Sequence, residues 1–362
     1  MFAHADRIRV YTLTGGVEER SGLRQPCKSH RRLGLRTERC SCGKKATKGT
    51  EMEYREHWVT RGEYRIYVRE YNGEEPAIVL MHGFPDNLHL YDRLVPHLVA
   101  EGRRVVVFDF LGWGRSDKPK GYPYTADNQA HDLAAVVDHL ALDEIVPVAH
   151  DASGPPAIDW ALWNPERTAA LVLLNTYYGR LAGARPPEAI FLFSTPVLRN
   201  LARFVSGRFD LFRRVYRWQV GRRFIRDEEV REEFVPLLYE QFAATPSTKP
   251  AFFSLNADLR GTMRSRSGAE PEMRAFERPV RIVFGEADSY LNANVARRFQ
   301  DLFPRSELFL LPTARHFPQL DEPEEVARLI LSTPLARRLG SATGISMASE
   351  GRRTGWASTR GK

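Results

Sequence analysis

The sequence predicts an α/β protein: a mostly parallel sheet of eight strands, covered by helices on both faces and interrupted by a helical insertion. Three observations lead there. A short, continuous apolar run at 77–81 reads as a strand buried on both faces, the mark of a sheet packed between helices, and the largely apolar segments 105–110 and 280–284 read as further strands of it. Segments with helical spacing of apolar residues alternate with these runs. The alternation then stops for about a hundred residues, 177–277, which are rich in Arg, Phe and Tyr and carry helical patches without a buried strand.

At 362 residues and 43% hydrophobic content, the chain can bury a large core. Its net charge of +8 sits at the ends. Residues 1–50 hold twelve Lys/Arg against four Asp/Glu, and 334–362 hold six against one, so the span between them is net negative. The folded body therefore gives no reason to expect a nucleic-acid partner. The three cysteines, Cys27, Cys40 and Cys42, all lie near the start. They build no disulfide framework, and Cys40-Ser-Cys42 has the wrong spacing for a zinc pair, so neither metal nor cofactor is expected. No apolar run reaches the roughly 18 residues of a membrane helix, and no secretory signal precedes the body. The expectation is a cytoplasmic protein without membrane contact, as a monomer or homodimer.

Taken in order, residues 1–51 are basic and lack periodicity, which predicts a poorly ordered extension. Strand-like patterning starts directly after Met52, so either translation begins at that methionine or the upstream segment is a basic targeting or interaction arm. Alternating residues at 55–60 and 64–71, with Gly62 between, predict a hairpin. The buried strand 77–81 runs into His82-Gly83-Phe84-Pro85. A helix over 88–100, a strand over 105–110 and a loop over 112–117 follow. Thr125 opens a helix to 142, with Leu133, Val136, Val137 and Leu140 on one face. A strand over 145–150 leads to a helix ending near 163, and a strand over 169–175 precedes the insertion. Within the insertion, 211–224 and 227–242 have helical spacing. Strand 280–284, helix 293–302, strand 307–311 and helix 322–331 complete the body. From Pro334 the composition turns to Ser, Gly, Ala and Arg, predicting a flexible tail. The expected units are the extension 1–51, a core of 52–176 and 278–333, a helical lid over 177–277, and the tail 334–362.

The stretch 145–157 reads Ile-Val-Pro-Val-Ala-His-Asp-Ala-Ser-Gly-Pro-Pro-Ala, a strand, a sharp turn and a helix. Such a turn strains the residue at its apex and needs small neighbours. Asp151 has them in Ala149, Ser153 and Gly154. A carboxylate thrust forward in this way can attack carbon directly. Ser153 as nucleophile would instead make an esterase, although the small flanks do not centre on it. Open parallel sheets place function at the carboxyl ends of their strands. Two further residues stand at such ends: Asp288, in Gly285-Glu-Ala-Asp288, and His316, in Ala314-Arg-His316-Phe-Pro. The chain order is nucleophile, acid, histidine. Asn175 also ends a strand, but an amide cannot carry the charge an acid needs.

Five segments together resemble the α/β-hydrolase superfamily: His82-Gly83-Phe84-Pro85; Asp109-Phe-Leu-Gly-Trp-Gly-Arg-Ser116; Ala149-His150-Asp151; Gly285-x-x-Asp288; and His316-Phe-Pro-Gln-Leu-Asp-Glu-Pro323. Within it they are most similar to the branch of epoxide hydrolases and haloalkane dehalogenases, over about residues 55–333. The resemblance implies the α/β-hydrolase fold and a covalent mechanism. Asp151 forms an alkyl-enzyme ester, and His316, held by Asp288, activates the water that hydrolyses it. The backbone N–H groups of Phe84 and Ala152 serve as the oxyanion hole, and the peptide before Pro85 is cis.

The branch also implies a small apolar electrophile, with water, as the partner. Relatives that open epoxides use lid tyrosines on the opening oxygen, and Tyr177, Tyr178, Tyr216 and Tyr239 are the candidates. Asp258, in Phe253-Ser-Leu-Asn-Ala-Asp258-Leu, stands where the epoxide-hydrolase lid motif has tyrosine. Relatives that release halide use side-chain N–H donors at positions held here by Ala152 and Phe84; Trp113, Trp160, Trp163 and Trp218 lie elsewhere. The arginine that fluoroacetate-type dehalogenases carry after the nucleophile is absent. The expectation is therefore an epoxide hydrolase first, a haloalkane dehalogenase second and an unassigned Asp-triad hydrolase close behind, with a non-catalytic binding protein of the same fold as the alternative from another class.

Overall fold

The computed structural model describes residues 52–179, 188–195, 198, 200, 204 and 211–336. The expectations for 1–51, for the tail from 337 onward and for part of the insertion lie outside the described residues. Eight strands form one sheet in the order β1-β2-β4-β3-β5-β6-β7-β8. They are β1 Arg55–Arg61, β2 Tyr64–Tyr71, β3 Glu74–Met81, β4 Arg103–Phe108, β5 Ile145–Asp151, β6 Leu171–Thr176, β7 Val280–Gly285 and β8 Ser306–Leu311. Only β2 runs against its neighbours β1 and β4; the remaining pairs are parallel.

The apolar runs that predicted two-sided burial occupy the centre of this sheet. Ala77 to Met81 of β3 and every residue of β6 and β7 are buried, as is β5 up to His150. Each fully buried aliphatic side chain of this kind contributes about 1.5–3 kcal/mol. Helices α1 Val95–Ala100, α2 Ala126–His139 and α3 Gly154–Trp163 return the chain between parallel strands. Thr125 caps α2, its hydroxyl accepting the Asn128 N–H at 3.2 Å.

Two elements differ from the sequence expectation. The helix expected over 88–100 is a 3-10 turn, Leu88–Tyr91, followed by the short α1. Pro96 accounts for the break, because proline has no N–H for an interior helical bond and sits readily only in a first turn. The helix expected over 211–224 is α-helical only from Leu211 to Tyr216 and widens into a π-helical stretch, Arg217–Phe224.

Between β6 and β7 the chain also forms helices Glu188–Ser194, Glu228–Ala243, Lys249–Ser265 and Glu270–Arg274. They contact the core at the carboxyl ends of the strands. Phe252 stacks on Phe84 with ring centres 4.9 Å apart. The Gln241 amide donates to the Asp86 carbonyl at 2.9 Å, and its Oε1 accepts the Gly114 N–H at 2.9 Å. Arg266 forms a buried clamp, reaching Asp159 of α3 at 2.5 Å and Asp127 of α2 at 2.6 Å.

Candidate active site

β5 ends at the apex of a sharp turn. Asp151 has φ of +46°, a region that L-residues enter at a cost and that clusters at functional sites. Small residues make the turn possible. A Cβ on Gly83 would lie 2.7 Å from the Asp151 Cβ, and one on Gly154 only 2.1 Å from the Thr176 hydroxyl. The Thr176 hydroxyl also donates to the Asp151 carbonyl at 2.6 Å, tying the apex to β6.

The Asp151 carboxylate accepts the Phe84 N–H at 3.0 Å and a second backbone bond from Ala152. Burial raises its pKa above the ordinary aspartate value, while His316 and these two amides work against that rise. Phe84 and Pro85 are joined by a cis bond. The loop bearing them is held by buried polar contacts. The Phe110 N–H donates to His82 Nε2 at 3.2 Å, which leaves Nδ1 to donate to the Gly83 carbonyl at 2.8 Å.

His316 is fully buried between two carboxylates. Its Nδ1 lies 2.7 Å from Asp288 Oδ2 and its Nε2 lies 3.8 Å from Asp151 Oδ1. Burial alone would lower the imidazole pKa, but Asp288, Asp151 and Asp86 together raise it to about 9. Asp288 is itself fixed from two sides, accepting the Tyr290 N–H at 2.8 Å and the Asn175 amide at 2.9 Å. The three residues singled out in the sequence thus converge, and Asn175, set aside as an acid, instead bonds Asp288.

Ser153 faces the other way. Its hydroxyl accepts the His150 N–H at 2.7 Å and lies 2.9 Å from the Met81 carbonyl, fully buried beneath the turn. That geometry bonds β5 to β3 and offers no nucleophile.

The four insertion tyrosines separate. Tyr177 directly follows β6, and burial and the nearby Asp151 charge hold its phenol protonated. Tyr216 is buried, with its hydroxyl 3.4 Å from the Pro85 carbonyl. Tyr239 packs on Tyr216 with ring centres 5.2 Å apart. The Tyr178 hydroxyl is engaged 2.8 Å from Asp159, beside the Arg266 clamp. Among the described residues no cluster of His, Cys, Asp and Glu is arranged to hold a metal ion, and no helix is long and apolar enough to cross a membrane.

A model of the alpha/beta hydrolase fold matches residues 76–323. The chain belongs to the α/β-hydrolase fold family. Among characterised sequences, this hydrolase is 27% identical over 284 residues to the putative hydrolase LipZ of Mycobacterium tuberculosis, covering 76% of this chain and 94% of that protein. It is 25% identical over 286 residues to haloalkane dehalogenase 2 of Mycobacterium bovis, covering 77% and 94%. Among solved structures, the epoxide hydrolase CorEH superposes with a TM-score of 0.63 at 22% identity, covering 77% of this chain and 98% of that one, a likeness of fold.

Sequence reasoning about the hydrolase missed two site residues. Asn175 has φ of +27° and bonds the acid, roles that its place at the end of an apolar strand does not reveal. Asp86, next to Pro85, is completely buried close enough to Asp151 and His316 to feel their charges; nothing in the sequence sets it apart.

Proposed function

We propose that this hydrolase works through an Asp151-linked alkyl-enzyme ester, and that it opens epoxides to diols. The observation that carries the proposal is a carboxylate, rather than a hydroxyl, at the strained apex of β5, with two backbone N–H groups and an Asp288-held imidazole around it.

One Asp151 oxygen attacks an epoxide carbon and the C–O bond of the ring breaks. The ring oxygen opens as an alkoxide, still tethered to the substrate carbon chain, and needs a proton. Tyr177, which feels the Asp151 charge and is kept protonated by burial and by that charge, is the donor assigned to it. In the second half-reaction water attacks the Asp151 carbonyl carbon while His316 takes its proton. Negative charge then develops on the carbonyl oxygen, where the Phe84 and Ala152 amides stabilise it. Collapse expels the alkoxy oxygen, which takes the His316 proton to complete the diol, and the proton left on the Asp151 acid returns to the Tyr177 phenolate, so carboxylate, imidazole and phenol are all restored.

Formation of the ester also prepares the base. Esterification removes the Asp151 charge that helps raise the His316 pKa, so the imidazole becomes a better proton acceptor once water must be activated.

An alkyl halide is the second candidate substrate, favoured by the similarity to haloalkane dehalogenase 2 along nearly all of that protein. Against it, neither Phe84 nor Ala152 offers a side-chain N–H to a departing halide. A product assay offering terminal epoxides and haloalkanes side by side separates the two. Diol formation, lost on Asp151→Asn, supports epoxide hydrolysis; halide release without diol assigns the alternative; no turnover of either panel removes both.

A further inference from the structure

The segment that carries the Phe84 N–H is held from two sides. From the core, Asp109 Oδ1 accepts the Leu88 N–H and its Oδ2 accepts the Arg115 N–H, both at 2.8 Å, so one carboxylate joins the loop after β3 to the loop after β4. From the insertion, the buried Gln241 of helix Glu228–Ala243 joins the same two loops. Its Nε2 donates to the Asp86 carbonyl at 2.9 Å and lies 3.3 Å from the Pro85 carbonyl, while its Oε1 accepts the Gly114 N–H at 2.9 Å. The Gly114 N–H can only donate, which fixes the orientation of the amide.

Other groups of the insertion grip the same segment. The Asn87 amide donates to the Leu237 carbonyl at 3.2 Å, and the Thr248 hydroxyl lies 3.4 Å from Gln241 Oε1. The carbonyls of Pro85 and Asp86 are thus bonded from the insertion, and the residue just before them supplies the N–H that meets Asp151 at 3.0 Å. An oxyanion donor works only within about 2.7–3.1 Å of the oxygen it serves. A small shift of this segment is therefore enough to disable it.

We propose that Gln241 is a positioning residue, through which the insertion holds the Phe84 N–H at the distance that hydrolysis of the Asp151 ester requires. The inference rests on the Asp151 nucleophile proposed above. The bonds from Gln241 to the core end on backbone atoms, so it acts through the 84–86 segment and not on the substrate. The two half-reactions depend on that segment unequally. Attack on the epoxide draws charge away from the Asp151 carboxylate, whereas attack of water on the ester builds charge on its carbonyl oxygen, and only the second gains from a well-placed N–H. The Phe84 bond also works against the rise that burial imposes on the Asp151 pKa, so loosening the segment moves the ionisation of the nucleophile to higher pH.

The test is rapid-quench kinetics on the full chain with a terminal epoxide, following ester formation and ester breakdown separately, as a function of pH, in wild type, Gln241→Met and Gln241→Asn. Methionine keeps the volume and removes every bond; the asparagine amide is too short to span both loops and is the milder change. Expected are ester breakdown slowed by about 10- to 100-fold in the methionine variant and by about 3- to 10-fold in the asparagine variant. Above the pH at which Asp151 is ionised, formation changes less than about threefold, and the pH midpoint of formation moves upward. Breakdown at the wild-type rate in both variants, an equal loss in both steps, or an unmoved midpoint overturns the assignment. Formation of the ester also reports that each variant is folded. Absence of ester in the wild type and in His316→Gln defeats the Asp151 mechanism itself, which separates that failure from failure of Gln241 alone.

Discussion

The side-chain amide of Asn175 lies 2.9 Å from Asp288 Oδ2, while its Oδ1 accepts the Gly285 N–H at 2.7 Å. One residue at the end of β6 therefore fixes both Asp288 and the start of the loop that carries it. Its left-handed backbone is the strain that aims the amide sideways across the sheet.

Asn175→Ala removes these bonds and leaves buried groups unpaired, so it destabilises the fold by about 1–3 kcal/mol, measurable by urea unfolding. With Asp288 less firmly held, ester breakdown slows more than ester formation. Equal stability of the two proteins contradicts the role assigned to the amide.

In the proposed mechanism, protonation separates the two half-reactions. Asp151 attacks only when ionised, whereas His316 accepts a proton only when neutral, and in the resting protein it is protonated below about pH 9. Once the ester removes the Asp151 charge, that pKa falls, yet acidification still reprotonates the base and slows breakdown first. Stopped-flow traces at decreasing pH are expected to show growing accumulation of ester. Identical pH profiles for the two steps contradict this coupling. The raised His316 pKa also stabilises the fold in full below its ordinary value of 6.5, and that contribution fades as pH rises through about 9.

Arg266 joins the insertion to the core through Asp159 and Asp127. Arg266→Met leaves Asp159 buried without its cation, a change worth about 3–5 kcal/mol. Thermal unfolding reads the loss directly, and the pairing of Tyr178 with Asp159 means that Tyr178→Phe loses stability in the same direction by a smaller amount. A Met variant with unchanged melting temperature removes the clamp from the account.

Ser153→Ala distinguishes a serine mechanism from an aspartate one. Its hydroxyl bonds β5 to β3, so the variant is expected to lose about 1–2 kcal/mol of stability while retaining most of its turnover. Complete loss of activity in a folded Ser153→Ala protein makes serine the nucleophile.

Much of the architecture is legible in the sequence because burial on both faces leaves an unmistakable pattern. β3, β5, β6 and β7 are nearly unbroken apolar runs, and each central chemical residue closes one or follows it closely. Asp151 was visible for a second reason, since a tight turn tolerates only small flanks. Asp86 and Asn175 were not legible, because what sets them apart is burial within the field of Asp151 and His316 in one case and a partner 113 positions away in the other. The tyrosines failed to sort themselves for a similar reason. The sequence places all four in the insertion without ranking them; only the tertiary position of Asp159 commits Tyr178, and only the end of β6 brings Tyr177 within the field of the carboxylate.

The covalent role of Asp151 is tested most directly by a single turnover in heavy-oxygen water with enzyme in excess over epoxide. Attack of water on the ester carbonyl puts the solvent oxygen into Asp151, so mass mapping is expected to find the label in the peptide containing Asp151 and none in the first diol released. Label in the diol, with an unlabelled Asp151, means that water attacked the substrate directly and contradicts the account.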